Sequence, residues 1–161
     1  MTKKALIEFV ATWFYLGRIS KAPGTVGTLG ALPFVWMAVQ VGSLGYMIVT
    51  FILTLSAIFV ADLYEVEMGV HDSKHVVIDE VVGYFIAMTW LPMTWQSFLA
   101  AFLLFRFFDI LKPFPIGILD KKVKGGLGVV VDDVAAGLIT NILLQIVFTK
   151  TNWLGYQLTL Q

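Results

Sequence analysis

From position 81 to position 105 the chain runs for 25 residues without a charged side chain, and its acids and bases crowd at the edges of this run and others like it. Such a stretch belongs in a bilayer or a deeply apolar interior, and the whole chain agrees with the first reading. Hydrophobic residues make up 58% of the chain against a usual ~45–50%, and charged residues only 14% against ~25%. The mean hydropathy is +0.85. Pro92, with Thr94 and Gln96 beside it, predicts that the run folds as a helical hairpin rather than one helix. This is the composition of a membrane protein, and 161 residues make one domain, residues 1–161.

The remaining apolar segments follow the same pattern. Residues 31–41 are apolar and short, broken at 42–45; residues 46–61 are charge-free and lead into Asp62, Glu65 and Glu67 at helical spacing; residues 134–148 form the last long run. The segment GRISKAPGTVGTLG reads as a loop from its breakers. Ahead of it, MTKKALIEFVATWFYLG carries Glu8, bulky aromatics and no small-residue cleavage site, which predicts a retained amphipathic helix at the interface. A helix of eleven residues covers only ~17 Å, short of a ~30 Å hydrocarbon core. The expected fold is therefore all-α: a compact helical bundle sunk in the membrane on about four spans, with short or re-entrant helices and its polar end at one interface.

Several function classes fall away at this point. Eleven basic and eleven acidic residues cancel, so no field favours a nucleic-acid partner and no nucleic-acid motif is present. With no cysteine there is no disulfide, no thiolate metal site and no cysteine nucleophile. If the turns near 42–45 and 91–96 share one end, segments 17–28, 71–80 and 106–133 share the other. Ten of the eleven Lys and Arg residues, all but Lys150, then lie on that second side, which the positive-inside rule makes cytoplasmic.

The same fold-back gathers charge into one place. Asp79, Glu80, Asp109, Asp132 and Asp133 are five of the eleven acids, and all border apolar helices. Each would cost ~2.5–3.5 kcal/mol unpaired at mid-bilayer, so they must pair or cluster on a cation. One acid per helix serves as a cap, but five exceed that need. Hard oxygen ligands without cysteine point to Mg²⁺ rather than zinc. Arg106, Asp109 and Lys112 follow at i, i+3 and i+6, with Pro113 leaving Lys112 at the helix lip; the two cations suit phosphate oxygens. A plain Arg106–Asp109 pair, with Lys112 favouring the helix C-terminus, is the competing reading. In GGLGVVVDD three glycines, Gly126 among them, precede a helix expected to begin near Asp132, where backbone N–H groups reach an anion or the glycines act as a hinge. The loop PGTVGT shares that ambiguity, and Thr25 and Thr28 either hydrogen-bond a headgroup or cap the helix from Ala31. His71 and His75 read as loop histidines, and Lys121, Lys122 and Lys124 as a basic patch toward anionic lipid or a solvated loop.

Four blocks in order, PGTVGTLGALP, HDSKHVVIDEVVG, FRFFDILKPFPI and GGLGVVVDDVAAG, resemble the signature blocks of the phosphatidylglycerophosphatase A family, across residues 22–137. The resemblance implies a Mg²⁺-dependent, multi-pass phosphatase of the bacterial inner membrane, its active site facing the cytoplasm among membrane lipids, converting phosphatidylglycerophosphate to phosphatidylglycerol; it sets no oligomeric state. It carries metal and catalytic roles to Asp79, Glu80, Asp109, Asp132 and Asp133, a catalytic and substrate role to Lys112, and substrate contacts to Thr25, Gly27, Thr28, Arg106 and Gly126. A lipid phosphotransferase of the CDP-alcohol type would also use acids and Mg²⁺, but the chain has no D-G-x-x-A-R run with its later D-x-x-x-D. A small cation channel or carrier could use intramembrane acids, yet acids collected at one edge beside Arg and Lys suit a permeation path poorly.

Overall fold

Every regular element in the computed structural model, which describes residues 2–19, 21–70 and 73–155, is an α-helix. The order is α1 (Lys3–Ala11), α2 (Leu16–Ile19), α3 (Pro23–Val39), α4 (Gly42–Met68), α5 (Ile78–Ala87), α6 (Trp95–Leu111), α7 (Ile116–Lys122) and α8 (Gly125–Lys150). His71 lies outside the described residues.

The N-terminal helix starts where Thr2 accepts a hydrogen bond from the Ala5 N–H, 3.3 Å away. It is shorter than the sequence suggests. Trp13, Phe14 and Tyr15 all take left-handed backbone angles, which breaks it after Ala11. Trp13 then anchors the corner by donating from Nε1 to the Gly30 carbonyl at 3.2 Å.

The largest departure from the sequence reading is α3. The expected loop at 23–30 is helix from Pro23 onward, with proline at the first helical turn where its missing N–H costs nothing. Its glycines give close approach rather than flexibility: a Cβ on Gly27 would stand 2.7 Å from Val77 Cβ. Thr28 therefore caps nothing; it is buried mid-helix and donates to the Gly24 carbonyl at 2.8 Å.

α4 and α8 are long and apolar enough to cross a membrane. At 27 and 26 residues they extend ~40 Å each, more than the ~30 Å of hydrocarbon. Phe51, Phe59, Leu103, Phe107, Ile142 and Ile146 are exposed on the bundle surface, a distribution suited to lipid and not to water.

The centre of the bundle is α5, in which eight of ten residues are buried. Its C-terminal carbonyls cannot reach water, so side chains of neighbouring helices meet them. Tyr46 donates to the Phe85 carbonyl at 2.7 Å, and Asn141 Nδ2 to the Ala87 and Thr89 carbonyls at 3.0 and 2.7 Å. Gln145 Nε2 adds a bond to the Thr89 carbonyl at 3.0 Å. Thr94 caps α6 by accepting from the Ser97 N–H at 3.2 Å, so α5 and α6 form the expected helical hairpin around Pro92.

The bundle has two unlike ends. Val39, Gly42, Trp90, Pro92 and Phe148 surround an apolar cavity of about 350 Å³ at one end, where the α3–α4 junction and the α5–α6 turn meet. The other end collects the N-terminus of α3, the segment before α5, and the residues around α7. The sequence expectation that the three polar segments share an end is met.

Candidate active site

Two glycines set the register of the site. A Cβ on Gly137 would collide with the Gly83 carbonyl, and one on Gly83 would collide with the Phe105 ring and lie 2.8 Å from the Asp133 carbonyl. α5 and α8 thus cross in backbone contact at Gly83 and Gly137. Each glycine follows an acid by four residues, one helical turn: Asp79 before Gly83, Asp133 before Gly137. The crossing therefore sets the acids of the two helices side by side.

The result is a carboxylate cluster built from three helices. Asp79, Glu80 and Asp133 form one group, Asp109, Asp132 and Asp133 a second, and in each the ligand oxygens lie within 4.8 Å of one another. Asp133 belongs to both. All five acids predicted from the sequence line one cavity of about 320 Å³, together with Arg106 and Lys112.

The cations are already shared among the acids. Arg106 pairs with Asp109, one turn on, and stands 3.7 Å from Glu80 Oε1. Lys112 occupies the left-handed C-cap of α6, which turns it back over the cavity, and its Nζ lies 2.5 Å from Asp120 Oδ1 and 2.7 Å from Asp132 Oδ2. Burial alone would lower the Lys112 pKa; its bonds to Asp120 and Asp132 outweigh that and raise it, so the ammonium stays charged. The plain Arg106–Asp109 pair is thus present, and it stands inside the cluster rather than apart from it.

Two cations do not balance this much buried acid. Burial, then the charge of Glu80, pushes the Asp79 carboxyl well above the usual range. Burial pushes Glu80 up to about 8, helped by Asp133 and Asp109 and opposed by hydrogen bonding with Asp79 and by Arg106. Glu80 Oε2, Asp132 Oδ1 and Asp133 Oδ1 are buried with no hydrogen-bond partner among the described residues. Oxygen atoms aimed inward with nothing to accept from are what a bound hard cation satisfies, and its charge would keep the acids ionised together. The donor set fits a divalent metal.

Other predicted residues stand elsewhere. Thr25, Gly27 and Thr28 do not line the cavity; its α3 wall is Ala22, Pro23 and Gly24. Gly24 fits there because a Cβ would collide with Glu80 Oε1 and come within 2.8 Å of an Arg106 nitrogen. Nor does α8 begin near Asp132: it starts at Gly125, placing both aspartates two turns inside the helix. Gly126 is buried against α4, its N–H donating to Asp62 Oδ1 at 3.2 Å, while Gly125 and Gly128 reach the cavity. His75 is the loop histidine expected, its Nδ1 3.1 Å from the Gly17 carbonyl. Lys121, Lys122 and Lys124 are exposed. The sequence reading missed Asp120, whose only signal was an isolated acid eight residues after Lys112, and missed the spacing of each acid pair to its glycine.

Residues 9–148, which carry every wall of this cavity, match the family model described as Phosphatidylglycerophosphatase A. The chain belongs to that family. It is 41% identical to "Phosphatidylglycerophosphatase A" of Haemophilus influenzae over 92% of this chain and 90% of that one, and 34% identical to the protein of the same name from Escherichia coli over 83% and 78%. A relative from Bacteroides thetaiotaomicron, 35% identical over 85% of this chain and 90% of its own, is provisionally named a phosphatidylinositol-3-phosphatase. No solved structure matches the chain. In this chain each of the four sequence blocks contributes to one cavity at one end of the bundle.

Proposed function

We propose that this chain hydrolyses the terminal phosphate of phosphatidylglycerophosphate, giving phosphatidylglycerol and inorganic phosphate, with Mg²⁺ as the metal and the cavity on the cytoplasmic side of a bacterial inner membrane. The observation that carries the reading is the pair of carboxylate groups sharing Asp133 beside Arg106 and Lys112. The names of the relatives supply the substrate.

Asp79, Glu80 and Asp133, with Asp109 and Asp132, are the residues that would hold the metal. When bound, a divalent cation polarises phosphate oxygens and lowers the pKa of water. Arg106 and Lys112 neutralise charge on the transferring group, and both are held in place beforehand by acids, so neither must reorganise during reaction. The Arg106 Nε, buried and without a partner among the described residues, is a donor left for a phosphate oxygen. A carboxylate not engaged by metal takes the proton of the attacking water. The buried cluster sits at the polar end of helices whose flanks are apolar, which suits a substrate that presents its phosphate from a bilayer.

The test is release of inorganic phosphate from phosphatidylglycerophosphate by purified protein, with and without Mg²⁺, and with phosphatidylinositol 3-phosphate as competitor. Mg²⁺-dependent release that prefers the first lipid supports the reading. Folded protein that releases none overturns it. A chiral thiophosphate analogue hydrolysed in isotopically labelled water should show inversion at phosphorus; retention would replace direct water attack with an aspartyl-phosphate route of two displacements.

A further inference from the structure

Beside the acid cavity lies a second one, of about 350 Å³, lined by Leu55, Ile58, Phe59 and Asp62 of α4 and by Leu127 of α8. The two cavities are continuous in their walls: Lys124 and Gly125 line both. Its floor is the close contact of α4 with α8, where Gly126 donates to Asp62 Oδ1 and a Cβ on Gly126 would collide with the Ile58 carbonyl. Its rim is apolar and open to the outside: Leu55 is 53%, Phe59 65% and Leu127 50% exposed. From Leu55 to Asp62 the groove rises ~10 Å along α4, from apolar surface to the polar end of the bundle.

We infer that this groove seats the glycerol backbone and one acyl chain of the lipid whose terminal phosphate occupies the acid cavity, and that Lys124 at their junction binds the lipid's phosphodiester. The inference rests on the reading of the cavity as the seat of a lipid phosphate. Charge and polarity fall in the required order. A phosphate monoester meets the carboxylates with Arg106 and Lys112, the internal phosphodiester meets an exposed lysine that forms no ion pair among the described residues, and the chain meets leucine and phenylalanine. An apolar groove gains little over surrounding lipid as a source of affinity, because acyl chains are as apolar as leucine. Its effect is on position: it holds the headgroup over the cavity instead of leaving it to diffuse across the bundle face. It also gives selectivity, since a soluble phosphate monoester uses neither the groove nor Lys124.

The experiment compares hydrolysis of phosphatidylglycerophosphate in nanodiscs with hydrolysis of p-nitrophenyl phosphate by the same purified proteins. Leu55→Trp and Leu127→Trp fill the groove from exposed positions. Each should lower kcat/KM for the lipid ~10-fold or more and leave the soluble monoester within ~2-fold. Lys124→Gln should raise KM for the lipid ~3- to 10-fold with little change in kcat. Unchanged lipid kinetics, or equal loss on both substrates in variants of unaltered thermal stability, overturns the groove. A phosphonate analogue of the lipid, bearing a diazirine in its acyl chain, gives a readout that needs no turnover. Competitor-sensitive labelling should fall on Leu55, Phe59 and Leu127. Such labelling without any hydrolysis would sink the phosphatase reading and leave the groove standing, whereas hydrolysis with labelling spread over the whole apolar surface would sink the groove alone.

Discussion

The glycine-rich block in α3 and the acid pairs in α5 and α8 look equally functional on paper, and the bundle uses them in opposite ways. Asp79, Glu80, Asp132 and Asp133 converge on the cavity with Asp109. Thr25, Gly27 and Thr28 do not line it; Pro23 and Gly24 of that block form a wall, Gly24 because no side chain fits beside Glu80, while Gly27 packs closely on Val77. The difference teaches what a residue type commits to. An ionised carboxylate between apolar helices has few stable places, whatever the fold, because each costs several kcal/mol unless it meets a cation. A glycine can serve a turn, an anion or a close crossing, and only the neighbours decide which.

The contrast can be broken most sharply at Asp133, shared by both carboxylate groups. Asp133→Asn keeps the shape of the side chain and should lower phosphatase activity by on the order of 10³ or more, with helical content by circular dichroism unchanged. A loss of only a few-fold would remove Asp133 from the centre of the account.

Next in size is the glycine crossing. Gly137→Ala introduces a Cβ into the Gly83 carbonyl, so α5 and α8 must part. Activity should fall ~10²-fold through displaced acids, and stability by ~1–3 kcal/mol, read by denaturant titration in detergent. Full activity would mean that the acids do not depend on this crossing for their register.

Much of this was legible in advance, and the limits have physical causes. The helical class, the hairpin at Pro92, the gathering of polar segments and all five clustered acids follow from charge in an apolar chain. The α3 helix did not, because Gly24, Gly27 and Pro23 are breakers in water but permissible in a helix stacked against Val77 and Glu80. The start of α8 at Gly125 was hidden for the same reason: glycines ahead of Asp132 read as a loop until α4 is seen packed on Gly126. Asp120 was illegible because its partner Lys112 is turned toward it by a left-handed helix cap, which charge spacing does not reveal.

Smaller effects sharpen the comparison. Asp120→Asn frees Lys112 from one of its two partners and should change activity only ~2- to 5-fold, chiefly in KM, since the pair is partly exposed. Thr28→Val removes the bond to the Gly24 carbonyl, and should cost ~1 kcal/mol of stability while KM stays within ~2-fold. A large KM rise for Thr28→Val would restore the headgroup role that the sequence suggested.

The central claim is that buried carboxylates meeting at Asp133 hold the divalent cation. Mn²⁺ binding to the purified protein, followed by electron paramagnetic resonance and competed with Mg²⁺, tests it without reference to any substrate. Wild-type protein should bind Mn²⁺ displaceably, and folded Asp133→Asn protein should lose that binding. Equal binding by both would contradict the account.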